Sequence, residues 1–240
     1  MIQVKQLHKQ YEDQVVLNGL ELSMQPQTTL TILGKSGSGK STLLKILSGL
    51  ETADSGTFLV NDEDLFALPT QDRGVVYLNQ EPLLFPHLNV FDNLAFGLSV
   101  RKQDKHTIKA SVEKLAGQLG LTDILSRMPT EISGGQKQRV SFGRALIIQP
   151  KILLLDEPFG SLDSQTREDM QLLFKTISQT LGMTSLFVTH DLKEALLMGD
   201  QVSMIQAGKV NVYPSKDVFV NDARTGADKE INFWNQYHAK

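Results

Sequence analysis

Cysteine is absent from the 240 residues of the sequence. Disulfides and thiolate metal sites are therefore excluded, and the composition fits a reducing compartment. A strong charge of one sign is also missing, because 24 Lys and Arg against 27 Asp and Glu leave a net charge of −3. So small an imbalance gives little attraction to nucleic acid or to an anionic membrane. We therefore expect no nucleic-acid partner.

Long apolar runs are missing as well. No 18 consecutive apolar residues occur anywhere, so the sequence predicts no transmembrane helix. Residues 1–8 alternate apolar and polar side chains, unlike the apolar block of a signal peptide. We expect a cytoplasmic chain whose role at a membrane, if it has one, comes through a partner protein.

What the sequence does contain is an alternation of short apolar strands with helices. Short strands separated by turns fill the first sixty residues, and a buried strand over 28–33 runs into a glycine-rich loop. Residues 81–150 are mostly helices and loops, and strands and helices alternate again after Pro150. This order favours a parallel α/β core with a helical insertion. The later predicted strands are 57–60, 75–78, 152–155, 185–188 and 202–205. One helix is predicted to begin at Lys40, and two others are predicted over residues 110–119 and 167–180.

The glycine-rich loop matches the Walker A pattern, in which four residues separate Gly34 from Gly39-Lys40-Ser41. Its glycines let successive amides converge on phosphate oxygens, and the following helix directs its positive end at the same place. We predict that Lys40 binds the β- and γ-phosphates and that Ser41 binds Mg²⁺. The alternative is an ordinary glycine turn that opens a helix. The predicted phosphate-binding set is Gly34, Lys35, Ser36, Gly37, Ser38, Gly39, Lys40, Ser41 and Thr42.

Acidic and imidazole side chains follow two of the later strands. Asp156 and Glu157 come directly after strand 152–155, at the carboxyl edge where ligands bind in open α/β sheets. Asp156 is suited to hold Mg²⁺, and Glu157 to accept a proton from the attacking water or to orient it. His190 follows strand 185–188 and is predicted to donate a hydrogen bond to the transferring phosphoryl group or to the water. The alternatives are solvated acids and a structural histidine.

A second motif, Ser133-Gly134-Gly135-Gln136, lies between the Walker A loop and the Asp-Glu strand. With both neighbours in that order, the sequence resembles the ATP-binding cassette family from its start to about Gly208. Ser133 can cap a helix whose first amides remain available. The resemblance implies that Ser133 to Gln136 contact the γ-phosphate held by a second cassette, in a head-to-tail homodimer or a paired cassette.

The resemblance also assigns roles to single residues and a fold. It implies that Tyr11 stacks on adenine, that Gln80 contacts Mg²⁺ and the attacking water, and that Asp163 lies in a loop that crosses the dimer interface. Catalysis is assigned to Glu157, His190 and Gln80, and the metal to Ser41, Gln80 and Asp156. The implied fold class is α/β, a P-loop NTPase (RecA-like) core with an N-terminal antiparallel β subdomain and an inserted α-helical subdomain. The departures from the family pattern, Ile132 and Lys35, remove no functional group.

The resemblance further implies one ATPase domain over residues 1–240, which hydrolyses ATP with Mg²⁺. Its expected parts are a core of residues 1–81 and 151–220, a helical signature subdomain at 82–150, and a tail at 221–240. The printed sequence ends at Lys240, so we expect no regulatory β-domain after the core. Phe233 and Trp234 are candidate docking residues of the tail.

Residues 84–97 and 128–132 resemble the importer branch that serves sugars, polyamines, iron(III) or oxyanions. The implied partners are permease subunits, which would hold the chain at the inner face of the membrane, and indirectly a solute-binding protein. Leu83, Leu84 and Phe85 would form the apolar floor of the permease groove, or else pack the helical insertion. An exporter ATPase is the alternative. The coiled coils of chromosome-type members, the second cassette of ribosome-type members and the Asn-Lys-x-Asp motif of GTPases are not found.

Overall fold

The computed structural model describes residues 1–238, without the side chains of residues 234–238. Trp234 therefore lies outside the described side chains. The fold divides into two compact units. Unit 1 contains Met1–Arg73 and the chain from Thr184 onward, and unit 2 contains Gly74–Met183.

The described residues form ten strands and eight α-helices, with several short 3₁₀ turns between them. The strands are β1 (Ile2–Tyr11), β2 (Gln14–Met24), β3 (Thr29–Leu33), β4 (Ser55–Val60), β5 (Glu63–Asp64), β6 (Val75–Leu78), β7 (Ile152–Asp156), β8 (Ser185–Thr189), β9 (Gln201–Gln206) and β10 (Lys209–Val212). The helices are α1 (Lys40–Ser48), α2 (Val90–Val100), α3 (Lys105–Leu119), α4 (Gly134–Leu146), α5 (Ser164–Leu181), α6 (Leu192–Met198), α7 (Lys216–Asn221) and α8 (Ala227–His238).

An antiparallel sheet forms the N-terminal part of unit 1, with strand order β2-β1-β4-β5. Its strands alternate buried and exposed residues, as in β1, where Ile2, Val4 and Leu7 are buried. One apolar face of such a sheet covers a core while the other meets water. This sheet confirms the predicted antiparallel β subdomain.

A second set of strands in unit 1 has the order β10-β9-β3-β8. Strand β3 pairs in parallel with β8 on one side and with β9 on the other. All five residues of β3 and all five of β8 are buried, as expected for parallel strands covered on both faces. Strand β3 can therefore hold the loop that follows it in a fixed place.

Unit 2 combines a parallel strand pair with four helices. Strand β6 pairs with β7, and every residue of β7 is buried. Helices α2, α3 and α4 pack on one another, and α4 also packs on α5. The α/β fold class is confirmed, and the boundaries at residues 82 and 150 remain a proposal. None of the helices in the described part of the chain is both long and apolar enough to cross a membrane.

The predicted elements agree with these strands and helices in type, and differ at some ends. Helix α5 begins three residues before the predicted Arg167, because the Asp163 side chain accepts from Thr166 N–H and caps an earlier start. The chain after β10, for which the sequence predicts no regular structure, forms α7 at the end of the expected core and α8 in the tail. Phe219 and Ala227 of these two helices are buried with Leu33 and Tyr213 in one apolar cluster.

Candidate functional site

The glycine loop connects β3 to α1 in unit 1. Gly37 and Gly39 have φ values of +77° and +97°, a region that residues with a Cβ rarely adopt. Gly34 N–H donates to Thr189 O at 3.2 Å, which ties the start of the loop to the end of β8. The buried Lys40 ammonium donates to Gly34 O at 2.8 Å and to Lys35 O at 3.0 Å. The loop is therefore curled around a positive charge.

This loop fits a polyphosphate. Helix α1 begins at Lys40 with no acidic residue in its first turn and no side-chain cap on Gly39. The buried Ser38 Oγ has no hydrogen-bond partner among the described residues, although a buried hydroxyl normally has one. Amide donors, an ammonium and an unsatisfied hydroxyl around one loop form a site for several anionic oxygens. Lys35, Ser36, Gly37 and Ser41 are exposed, and Thr42 is half-buried.

Tyr11 ends β1 in the antiparallel sheet, with 41% of its surface exposed. The Lys9 ammonium lies 4.9 Å from the centroid of its ring. Lys9 Nζ also donates to Thr52 O at 2.8 Å and pairs with Glu51 at 3.0 Å. The hydrogen bond with Glu51 raises the pKa of Lys9, and the same bond lowers the pKa of Glu51. A charged cluster thus holds one face of the Tyr11 ring, and stacking of Tyr11 on adenine stays a prediction.

His190 follows β8, where the backbone places it beside the glycine loop. Thr189, the residue before it, is opposite Leu33 in the parallel register. Gly34, which opens the loop, is bonded to the same Thr189. The His190 side chain is exposed, and Asp191 caps α6 by accepting from Glu194 N–H at 2.9 Å. Unit 1 therefore brings together His190 and the predicted phosphate loop at one edge of its parallel strands.

Asp156 ends β7 in unit 2, and only 7% of its surface is exposed. The Tyr77 hydroxyl donates to Asp156 Oδ2 at 2.7 Å. Burial raises the pKa of Tyr77, and the bond to Asp156 raises it further, so the phenol remains a donor at neutral pH. Sequence reasoning missed Tyr77, because the bond depends on the register of β6 and β7.

Glu157 adopts a left-handed backbone conformation, with φ +45°, directly after β7. Its carbonyl oxygen accepts from Gly160 N–H at 3.1 Å, which forms a tight turn, and its side chain is half-buried. A Cβ added to Gly160 would be 3.1 Å from Gln80 Nε2, so the Gln80 amide lies against this turn. Three residues with predicted catalytic or metal roles, Gln80, Asp156 and Glu157, thus lie at one edge of unit 2.

Two polar side chains that sequence reasoning missed bind carbonyls within this turn and just after it. Gln138 is almost fully buried on α4, and its Nε2 donates to Pro158 O at 2.6 Å. Arg167 of α5 donates from Nε to Phe159 O at 3.2 Å and from Nη2 to Leu162 O at 2.8 Å. The sequence signal for Gln138 is a polar residue on the buried face of a predicted helix, but its acceptor can be known only from the structure.

The second glycine motif opens α4 with a capping box. Ser133 Oγ accepts from Gln136 N–H at 3.3 Å, and Gln136 Oε1 accepts from Ser133 N–H at 2.9 Å. Ser133 and Gly134 are exposed, and a Cβ on Gly134 would meet no atom within 4 Å. A Cβ on Gly135 would be 2.5 Å from Thr166 Cγ2, so α4 and α5 approach closely only because this residue has none. The predicted cap at Ser133 is confirmed.

Asp163 begins α5 next to this motif. Its carboxylate accepts from Thr166 N–H at 3.0 Å, and this backbone hydrogen bond lowers the pKa of Asp163. The second glycine motif and Asp163 are therefore neighbours within unit 2. Their predicted place at a dimer interface remains a prediction.

Comparison with known proteins identifies the family of this chain. The family described as ABC transporter matches residues 17–160. The sulfate/thiosulfate import ATP-binding protein CysA of Xylella fastidiosa is 42% identical over 224 residues, 92% of this chain and 64% of the relative. The spermidine/putrescine import ATP-binding protein PotA of Acetivibrio thermocellus is 43% identical over 210 residues, 88% of this chain and 60% of the relative.

A third relative is covered over more of its length. The molybdate/tungstate import ATP-binding protein WtpC of Pyrococcus abyssi is 38% identical over 236 residues, 98% of this chain and 68% of the relative. The chain spans less than two thirds of the length of the other two relatives. The family match covers more than half of the sequence and includes the glycine loop, the capped second motif and the Asp-Glu strand end. The chain belongs to the ABC transporter family.

Proposed function

We propose that this chain is the ATP-hydrolysing subunit of an ABC importer. The observation that carries the proposal is the glycine loop curled around the Lys40 ammonium with the Ser38 hydroxyl unsatisfied beside it. Such a loop suits the phosphates of a nucleotide. Each of the three relatives is named as an import ATP-binding protein, which supports import rather than export.

In the proposed reaction, residues 34–42 bind the phosphates of ATP and Lys40 neutralises the β- and γ-phosphates. Ser41 and Asp156 are hard oxygen donors that suit Mg²⁺, and Gln80 supplies a further amide oxygen. When bound, Mg²⁺ neutralises charge on the phosphate oxygens. Glu157 orients the attacking water and accepts its proton, and His190 donates to the phosphoryl group. Tyr11 stacks on the adenine.

The proposed site is completed by a second cassette. Helix α4 begins at exposed Ser133 and Gly134, with Gln136 in its first turn. The positive end of a helix favours an anion, while the glycine loop serves the phosphates bound by the same chain. We propose that Ser133 to Gln136 of one cassette contact the γ-phosphate bound by its partner and that Asp163 lies at this interface. Closure of the pair would drive the membrane subunits.

The proposed docking surface for the permease is an aromatic patch of unit 2, defined as Leu83, Phe85, Phe96 and Arg144. Leu83 and Phe96 expose 62% and 40% of their surfaces. The Phe85 ring is 4.4 Å from that of Phe96, and the Arg144 guanidinium lies 4.3 Å from the Phe85 centroid. An apolar patch with an arginine at its edge is typical of protein interfaces.

The loop that carries Phe85 of this patch is fixed by a buried amide. Asn93 is fully buried, its Nδ2 donates to the carbonyls of Phe85, Leu88 and Asn89, and its Oδ1 accepts from Phe85 N–H. A preformed loop lowers the entropy cost of binding a partner. Through this surface the chain would sit on the cytoplasmic face of the membrane, with a solute-binding protein acting on the permease. The three relatives are named for different solutes, two for oxyanions and one for polyamines, so the proposal stops at import.

Replacement of Glu157 by Gln tests the proposal. We expect Glu157→Gln to bind ATP with wild-type affinity, to lose ATP hydrolysis by a factor of about 10²–10⁴, and to accumulate as an ATP-bound dimer. Phosphate release measures the loss of ATP hydrolysis, and light scattering with and without ATP measures the accumulation of the dimer. Hydrolysis at the wild-type rate would show that Glu157 is not the base, and a monomer at saturating ATP would contradict the paired site.

A further inference from the structure

We propose that Tyr77 is a positioning residue for Asp156: its hydroxyl holds the carboxylate in one orientation and thereby raises the affinity of the protein for the Mg²⁺ that accompanies ATP. The inference rests on the proposed function, because it assigns to Asp156 the metal that ATP brings. It concerns a residue that lies outside both glycine motifs and the Asp-Glu pair.

The register of β6 and β7 places the two side chains on one face. Tyr77 is opposite Leu154 in this parallel pair. Side chains alternate along a strand, so Asp156, two residues after Leu154, is on the same face as Tyr77. A tyrosine side chain is long enough to reach a residue two positions further along its neighbour, and its hydroxyl is 2.7 Å from Asp156 Oδ2.

The surroundings of Asp156 make this hydrogen bond important. Asp156 ends a strand whose five residues are all buried, and little of its own surface meets water. The terminal torsion of an aspartate is broad, so a hydrogen bond to one oxygen narrows the orientations of the carboxylate plane. A donor fixed by the strand pair confines one oxygen, and the orientation of the other follows. Groups that orient a metal-binding carboxylate contribute to metal affinity through it.

The hydroxyl is a suitable group for this task. A phenol can donate to a carboxylate without adding charge, so it orients Asp156 and leaves the negative charge for the cation. A lysine or arginine at the same position would compete with the metal electrostatically. Tyr77 therefore orients the Asp156 carboxylate without neutralising its negative charge.

Tyr77→Phe removes only this hydroxyl and keeps the ring. We expect the variant to need about tenfold more Mg²⁺ for half-maximal ATP hydrolysis, and to bind Mn²⁺ about tenfold more weakly in its complex with a non-hydrolysable ATP analogue. Electron paramagnetic resonance of Mn²⁺ measures the binding without reference to activity. Binding of the analogue in EDTA should remain at the wild-type value, because no phosphate contact is changed.

The chain offers a matched control. Tyr213 Oη donates to Asp222 Oδ2 at 2.9 Å, the same kind of bond, beside the apolar cluster that contains Phe219. Tyr213→Phe should leave both metal measurements unchanged while thermal melting reports the loss of a tyrosine–aspartate bond. If Tyr77→Phe also melts earlier but keeps wild-type metal affinity, the bond only stabilises the fold and the proposal is wrong.

A double-mutant cycle with Asp156→Asn locates the effect. Loss of the Tyr77 hydroxyl should weaken Mn²⁺ binding much less in the Asp156→Asn background than in the wild type, and additive losses would overturn the proposal. Failure of the proposed function would look different. The wild-type protein itself would then form no metal–nucleotide complex, whereas failure of the present inference leaves that complex equal in wild type and Tyr77→Phe.

Discussion

Helices α1 and α4 both begin at a glycine motif, yet their first turns are satisfied in different ways. Helix α1 starts after Gly39, which is left-handed and offers no side-chain cap. Helix α4 starts after Ser133, whose capping box with Gln136 satisfies two backbone amides within the chain. Helix α1 thus starts without a side-chain cap, while the start of α4 is ordered by one.

This difference matches the two proposed tasks. A loop that holds phosphates by itself needs unsatisfied donors and a local cation, as at Ser38 and Lys40. A helix that meets a phosphate only when a partner arrives benefits from an end that is rigid beforehand, because ordering then costs less on closure. In the proposed function, the first motif binds phosphates by itself and the second contributes when the partner cassette arrives.

The largest expected effect is at the first motif. Lys40→Ala removes the ammonium from the loop, and we expect ATP affinity to fall by a factor of about 10² or more, since hydrogen bonds to charged groups contribute about 1.5–3 kcal/mol each. Fluorescent-nucleotide titration measures the change. Lys45→Ala, in the last turn of the same helix and exposed, is the control and should bind ATP normally. If Lys40→Ala and Lys45→Ala bound ATP with equal affinity, the first motif would not be the phosphate-binding motif.

A smaller effect is expected from the paired glycines of the second motif. Gly135→Ala places a Cβ 2.5 Å from Thr166 Cγ2, and we expect the free energy of unfolding to fall by about 1–3 kcal/mol, because overpacking strains the contact of α4 with α5. Gly134→Ala meets open space and should leave stability within about 0.5 kcal/mol of wild type. Urea unfolding measures both variants.

The two glycine variants also distinguish the packing of α4 against α5 from the proposed contact of α4 with a partner. Gly134→Ala should still lower ATP hydrolysis, because its methyl group stands where the partner's phosphate would approach. A Gly134→Ala variant with full activity would show that this exposed helix end meets no partner.

The smallest effect is expected at the cap. Ser133→Ala should lower the free energy of unfolding by about 1 kcal/mol through loss of the capping bond. Asp104 caps α3 in the same way by accepting from Thr107 N–H, so Asp104→Ala should cost a similar amount. Only Ser133→Ala should also reduce ATP hydrolysis. If both variants keep full activity, the cap of α4 is structural alone.

Much of this molecule could be predicted from local sequence. The spacing of the glycines predicts the loop, and Ser133 predicts the cap of α4, because both features depend on neighbouring residues; the second bond of the capping box, to Gln136, is not predicted. The start of α5 was missed by three residues, because its cap, Asp163, was interpreted only as part of a loop. The predicted roles of Tyr11, Gln80 and His190 remain predictions, although the structure places each of them in an accessible position.

What could not be predicted depends on contacts between distant parts of the chain. The bond of Tyr77 to Asp156 joins residues 79 positions apart and requires the strand register. Gln138 finds its acceptor at Pro158 across the contact between α4 and the loop after β7. Helix α7 is held by the burial of Phe219 against Tyr213, with ring centroids 5.0 Å apart, and its own composition gives little sign of this.

The backbone of Glu157 has a consequence for how this protein can change. A left-handed conformation costs a residue with a Cβ about 1–2 kcal/mol, and glycine would hold the same φ of +45° without that cost. In backbone strain alone, glycine would therefore fit this position better than glutamate. Backbone strain favours glycine at residue 157, whereas the proposed role as a base requires the carboxylate of glutamate.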